Sequence, residues 1–355
     1  MPPSRHPDFA HSAETALPGL NPAALQELLL AEAREHALDA RRDETGALVI
    51  ANPYGGFRLS AEAGLARARA YSPRADWLFV LKEALTEKVA TMHPEAAAAI
   101  RWSDAATIGS RPPNFQFVEI RAVTPLGRDF LRITVAAEDL SAFGDDAIHF
   151  RLVLPPPGDP APEWPRIGAS GTTIWPSGAK ALHRPVYTVR SIDPARGELS
   201  FDLFVHAGGR ATAWAQSVRP GARIGLTGPG GGGIPQTRKI TLYADETGFP
   251  AVARILESLP AEATGHAVLS AGARYPLPTH PGIALHRLAQ GGATQLAERA
   301  IADRASHGGH SLWFAAEKTG AQRLRDWCRR NGVNLRDHYV AAYWTQADPM
   351  KGDRT

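Results

Sequence analysis

The hydrophobic pattern of this chain changes period at a glycine run. Before GPGGGG (228–233) lie six segments: FQFVEIRAV, FLRITVAAE, IHFRLVLP, VYTVRSI, ELSFDLFVH and ARIGLTG. They are rich in β-branched and aromatic residues, many in alternation, and at such spacings they predict an antiparallel barrel. After the run the strands RKITLYA, HAVLSA, SLWFAA and YVAAYW are short and apolar, and helical periodicity appears at 248–259, 294–304 and 320–331. Strands that alternate with amphipathic helices predict βαβ units and a mostly parallel sheet.

Upstream, residues 1–20 read as a loose polar leader. A helix is expected over 21–36, with Asn21 as N-cap, Pro22 at the first helical position and Leu25, Leu28 and Leu29 as its apolar stripe. Strand pieces GALVIAN and GGFRLSA follow, then a helix over 76–91, and the segment closes near Trp102. The turn formers of TIGSRPPN (107–114) mark a boundary. The expected fold is multidomain: a small α+β domain at 21–106, a barrel at 114–235 and an α/β domain at 236–346. A Pro- and Gly-rich interruption at 155–182, carrying Trp164 and Trp175, is long enough to suggest a function.

Composition removes whole classes. Forty-four percent apolar residues over 355 positions supply a core and exclude a disordered chain. The 39 Lys and Arg nearly balance 36 Asp and Glu, so nucleic acid is not an expected partner. Cys328 is the single cysteine, which excludes an internal disulfide, a four-cysteine zinc site and a cysteine-held iron–sulfur cluster. The N-terminus has no apolar core of signal-peptide length and no run of 18 apolar residues exists, so a cytoplasmic protein without an integral membrane segment is expected. HGGH (307–310) pairs two histidines in a glycine loop without a carboxylate partner, and no metal is expected there. GxSxG, HExxH and Walker motifs are absent.

Four stretches carry candidate chemistry. In RPVYTVR (184–190) an aromatic ring beside a hydroxyl suits a flavin, with arginines that fit phosphate; the alternative is a half-buried strand with a wet face. In VHAGGRATAWAQ (205–216) a strand ends at His206, two glycines turn the chain and a helix starts near Arg210, a seat for pyrophosphate; the alternative is an ordinary turn with Trp214 in the core. YADETGFPAVARIL (243–256) sits at the first βα turn of the sheet, where Asp245 and Thr247 serve either a ligand or plain N-caps. From Lys318 to Arg336 six basic residues face one acid, Asp326, which describes either an anion site or a solvated helix face. A barrel followed by such a sheet is the layout in which a flavin lies on the barrel and a nicotinamide dinucleotide reaches it from the sheet.

Taken in order, these motifs resemble the siderophore-interacting protein family of flavin-dependent ferric reductases, which are ferredoxin-reductase-like, over roughly 114–346. The matching pieces are Tyr187-Thr188-Val189-Arg190, His206 with Gly209, Ala211, Trp214 and Ala215, Gly228-Pro229, Asp245-Glu246-Thr247 with Pro250-Ala251, Ala315 with Glu317, and Tyr343-Trp344. The chain departs from the pattern at Pro185, which displaces an arginine to Arg184, at Arg210 in place of proline, and at Ala207 and Ala316 in place of glycines. The leader domain is similar, less closely, to a small domain of unknown role that precedes such reductases.

The resemblance implies NAD(P)H-dependent reduction of a ferric siderophore through FAD, with NADPH or NADH as donor and no resident metal. Tyr187 would stack on the flavin and Thr188 would hydrogen-bond near its reactive nitrogen, as the catalytic pair. Arg184, Val189, Arg190, His206, Gly209, Arg210, Ala211, Thr212 and Trp214 complete the flavin set. Asp245, Thr247 and Glu317 would line the nicotinamide side. Lys318, Arg323 and Arg325 would meet an anionic siderophore or a nucleotide phosphate. A monomer is expected. A flavin reductase for another acceptor, or a non-catalytic protein that binds flavin or an iron chelate, are the alternatives.

Overall fold

The computed structural model describes residues 9–35, 38–52, 54–104 and 108–346. The chain begins with β1 (His11–Leu17), α1 (Pro22–Glu35), β2 (Asp39–Arg42), β3 (Leu48–Asn52), β4 (Gly55–Glu62), β5 (Leu65–Ser72), α2 (Ala75–Met92) and α3 (Pro94–Ala99). It continues with β6 (Phe115–Leu126), β7 (Phe130–Ala137), β8 (His149–Val153), the short β9 (Arg166–Ile167) and β10 (Thr173–Ile174), β11 (Val186–Asp193), β12 (Glu198–Phe204), α4 (Arg210–Ser217) and β13 (Arg223–Gly230). Last come β14 (Lys239–Ala244), α5 (Phe249–Ser258), β15 (Thr264–Leu269), β16 (Ile283–Arg287), α6 (Ala293–His307), β17 (Ser311–Glu317), α7 (Lys318–Arg330) and β18 (Tyr339–Trp344). These elements form two compact units. The first holds the described residues up to Phe115 together with Gly158–Leu182, and the second holds Gln116–Pro157 and the chain from His183 onward.

The first unit is an antiparallel sheet of order β1-β5-β4-β3-β2. Leu25 and Leu29 of α1 and Leu78, Leu85 and Val89 of α2 share a core with Leu48, Leu59 and Ala68 of the sheet. Asn21 caps α1 as expected, accepting from the Ala23 and Ala24 N–H groups at 3.0 and 3.1 Å. The reading of 1–20 as a loose leader is corrected at 11–17: this stretch is β1, paired along β5 from His11↔Ser72 to Leu17↔Ala66. Its inward residues include Ala13 and Thr15, too small and too polar to announce the period of two. Residues 1–8 of the leader and 105–107 beside the boundary lie outside the described residues.

The interruption within the barrel sequence belongs structurally to this first unit. Its strands β9 and β10 pair with each other. Its backbone takes hydrogen bonds from Trp102 N–H to Ser170 O at 3.1 Å and from Gly109 N–H to Ile167 O at 2.8 Å. The Thr173 N–H donates to Glu83 Oε1 at 3.1 Å. Its length is explained by this packing.

In the second unit six strands close an antiparallel barrel of order β11-β12-β7-β6-β13-β8. Closure pairs β11 with β8 through Val186↔Arg151, Tyr187↔Phe150 and Thr188↔His149. Ile133, Val135, Leu152, Leu199, Phe201 and Leu226 fill the interior. The sheet that follows is parallel throughout, in the order β16-β15-β14-β17-β18. Sequence reasoning missed β16, an edge strand with four of its five residues exposed, because it has little buried apolar surface to mark it.

Barrel and sheet share one core. Phe130 and Ile148 of the barrel side cluster with Phe249, Val252 and Leu256 of α5 and with Trp313 of β17. Arg254 of α5 is buried and donates to Val189 O and Gly144 O, both at 2.8 Å, and to Asp145 Oδ1 at 3.0 Å. The strand carrying Tyr187 and Thr188 is therefore fixed to the first helix of the sheet.

Candidate functional site

Tyr187 is half-buried, its ring 5.2 Å from Phe201 and 6.5 Å from Phe150, centroid to centroid. Burial pushes its phenol above the ordinary tyrosine range. Thr188, next along the strand, points to the other face, and its Oγ1 lies 3.3 Å from His149 Nδ1. The opposite nitrogen, Nε2, lies 3.0 Å from Tyr343 Oη and 3.5 Å from Tyr339 Oη of the closing strand β18. His149 is buried, and desolvation together with the nearby Arg254 holds its pKa down at about 4. The glycine run is explained here. A Cβ at Gly231 would come within 2.5 Å of the His149 ring, and one at Gly232 would overlap the Tyr339 ring.

The rest of the motif on β11 is placed differently. Val189 is 1% exposed in the barrel core. Arg190 makes a two-pronged ion pair with Glu257 of α5, both contacts at 2.6 Å, so its guanidinium is engaged with the helix and not with an open phosphate seat. Arg184 is exposed, and its carbonyl accepts from Arg151 at 3.3 Å.

The turn at 205–210 borders a cavity of about 370 Å³ lined by His206, Gly208, Gly209, Arg210 and Thr212 among others. Gly209 caps α4 without a side chain, which leaves the first-turn N–H groups with no side-chain acceptor. A Cβ on Gly209 would meet the His206 ring at 2.5 Å. Such a cradle fits a pyrophosphate, since unpaired N–H groups and the helix dipole both favour an anion. Arg210 is exposed at its rim. Thr212 is buried and its Oγ1 accepts from the His206 N–H at 3.3 Å, tying the turn. Ala211 and Trp214 pack toward the barrel core. With Tyr187 and Thr188, this cradle provides the elements a flavin dinucleotide needs.

At the carboxyl ends of the sheet strands Asp245 gathers four donors. Thr247 N–H and Oγ1 reach its Oδ1 at 3.1 and 2.6 Å; Glu317 N–H and Trp344 Nε1 reach its Oδ2, both at 2.8 Å. Burial pushes this carboxyl up against the pull of those donors. Glu317 caps α7. Burial opposes its charge too, but the Thr319 hydroxyl and N–H and the Gln346 N–H outweigh it and hold the carboxyl below its usual range. Asp245 and Thr247 are thus caps and cluster members at once, and the structure brings them together with Glu317 and Trp344.

The basic helix divides. Lys318 is exposed at its start, and Arg323, also exposed, pairs with Glu298 at 3.1 Å. Arg325, grouped with them on sequence, donates from Nε and Nη2 to Val340 O at 3.0 and 2.7 Å and so holds α7 to β18. Among the described residues no group of three His, Cys, Asp or Glu is arranged to hold a metal, and no helix is long and apolar enough to cross a membrane. Sequence reasoning missed His149, Tyr339 and Arg254. The available signal for His149 was a polar residue flanked by Ile148 and Phe150 at a strand start.

The closed antiparallel barrel and the parallel sheet define two successive domains, and each matches a family model. Residues 117–233 match the siderophore-interacting FAD-binding domain and 237–347 match the siderophore-interacting protein domain. The chain belongs to the siderophore-interacting protein family. The NADPH-dependent ferric-chelate reductase of Escherichia coli K12 is 33% identical over 152 residues, 41% of this chain and 57% of the relative. Ferric vibriobactin reductase ViuB of Vibrio cholerae is 32% identical over 152 residues, 41% of this chain and 54% of the relative. The matched stretch thus spans little more than half the length of these relatives. A siderophore utilization protein from T. fusca superposes with TM-score 0.52 at 25% identity, covering 68% of this chain and 97% of that one. The siderophore-interacting protein from Acinetobacter baumannii shares the fold, with TM-score 0.54, 21% identity and coverage of 66% and 91%.

Proposed function

We propose that the protein reduces a ferric siderophore with NADPH through FAD held on the barrel, in the cytoplasm. One observation carries the reading. The Thr188 hydroxyl of the barrel, by way of the His149 ring, and the Asp245–Glu317 cluster of the sheet reach a single strand, β18, at Tyr343 and Trp344. When bound, FAD supplies the passage from a two-electron donor to one-electron acceptors. Tyr187 covers the ring face and Thr188 offers it a hydroxyl. The first-turn N–H groups of α4, with Arg210 and Arg184 at hand, hold the phosphates. Asp245, Thr247 and Glu317 orient the nicotinamide, and Lys318 and Arg323 attract the anionic partner. Reduction releases the metal because ferrous iron binds hard oxygen chelators far more weakly. The NADPH preference follows the relative named for it.

The test is anaerobic mixing of the purified protein, FAD, NADPH or NADH and a ferric siderophore with a ferrous trap. Trap colour that requires both nucleotide and protein is expected. A protein that takes up no FAD, or that takes it up and leaves the chelate oxidised, refutes the reading.

A further inference from the structure

His149 has so far served only as the link between Thr188 and β18. Among the described residues of the second unit it is the one imidazole flanked by hydroxyl groups on both nitrogens: Thr188 of β11 at Nδ1, and Tyr343 and Tyr339 of β18 at Nε2. A neutral imidazole has one donor and one acceptor, so the two sides must differ in sense. Phenols, with pKa near 10, are better donors than an aliphatic alcohol, and the alcohol is the better acceptor. We propose that His149 carries its proton on Nδ1, donates it to Thr188 Oγ1 and accepts at Nε2 from Tyr343, so that Thr188 turns its own proton outward to an unprotonated nitrogen of the bound cofactor ring. His149 is then a positioning residue acting through Thr188. The inference rests on the reading that the flavin lies against Tyr187 and Thr188.

The surroundings support it. The groups that face the ring are Thr188 and the Tyr187 backbone, the Tyr339 and Tyr343 phenols, and Arg254 of α5. Arg254 disfavours a second proton on the ring, as does burial. Gly231 closes against the ring edge, where an added Cβ would come within 2.5 Å of the imidazole.

The tautomer is read in the apo-protein by long-range proton–nitrogen correlation on ¹⁵N-histidine-labelled chain, with His149→Asn to assign the signal. An Nδ1–H pattern that does not titrate above pH 6 is expected, and Tyr343→Phe should shift it toward Nε2–H. FAD titration follows. Asparagine places an amide N–H near the lost Nδ1 and leucine does not. His149→Leu should weaken FAD about fivefold, the value of one net hydrogen bond of ~1 kcal/mol, and His149→Asn should stay within about twofold of the parent. An Nε2–H pattern in the parent, or equal weakening by leucine and asparagine, overturns the proposal. A parent that takes no FAD refutes the functional reading instead, and the apo tautomer then decides this inference alone. If His149→Leu does not fold, the parent tautomer and Tyr343→Phe decide it.

Discussion

Arg254→Met should loosen the second unit while sparing the first. Methionine keeps much of the apolar stem and removes the head. Three contacts are lost, and they are unequal. The bond to Val189 O is buried, so that carbonyl is left dry, at a cost of ~1–3 kcal/mol. Gly144 is exposed, so its carbonyl regains water and only the net bond of ~1 kcal/mol is lost. Asp145 is 63% exposed and contributes at most ~1 kcal/mol. The sum is about 2–4 kcal/mol, after part is offset by no longer burying a charge. Glu257→Gln is the contrast. Glu257 is 44% exposed, so its pair with Arg190 is discounted for solvent screening to about 1 kcal/mol or less. With two compact units a single unfolding free energy is ill-defined, so native-state hydrogen exchange is the assay. Protection in β11 and α5 should fall by that amount, with β1–β5 unchanged. A fall below ~0.5 kcal/mol, or an equal fall in Glu257→Gln, would refute the role given to Arg254.

Four further outcomes are expected. Tyr187→Ala should weaken FAD by up to about tenfold, since an aromatic contact is worth ~0.5–1.5 kcal/mol beyond its area; unchanged affinity in a titration removes Tyr187 from the site. His149 has a depressed folded pKa, so its contribution is intact above the ordinary histidine value of 6.5 and is lost as pH falls toward about 4, by up to ~3 kcal/mol. The melting temperatures of parent and His149→Asn should therefore converge over that window, and parallel profiles would speak against it. Lys318→Ala should reduce turnover efficiency on an anionic ferric chelate in a salt-dependent way, with little change on a neutral one. Arg325→Met should instead lower the melting temperature by freeing Val340 O, and a purely kinetic effect would contradict its placement.

The grouping of Lys318, Arg323 and Arg325 shows where linear reading stops. Charge count along the helix is visible in sequence, but whether an arginine head meets solvent or a backbone carbonyl depends on the strand beside it. Arg190 is a parallel case, since Glu257 lies 67 residues away. The leader strand β1 was hidden because its partner β5 is some 50–60 positions on, and pairing, not local pattern, makes it a strand.

What the sequence determined alone was everything governed by neighbours along the chain. The change of hydrophobic period set barrel before sheet, Asn21 and the helical stripes set helices, and the order of motifs set the family. These signals are local because backbone geometry repeats every two or 3.6 residues. The tertiary structure alone decided the meeting of His149, Thr188 and Tyr343, separated by 39 and 194 positions from the histidine, and the grip of Arg254 on Val189. It also decided that residues 158–182 pack with the first unit. Hydrogen bonds and burial act through space over about 3 Å, and no periodicity in sequence encodes which distant residues come that close.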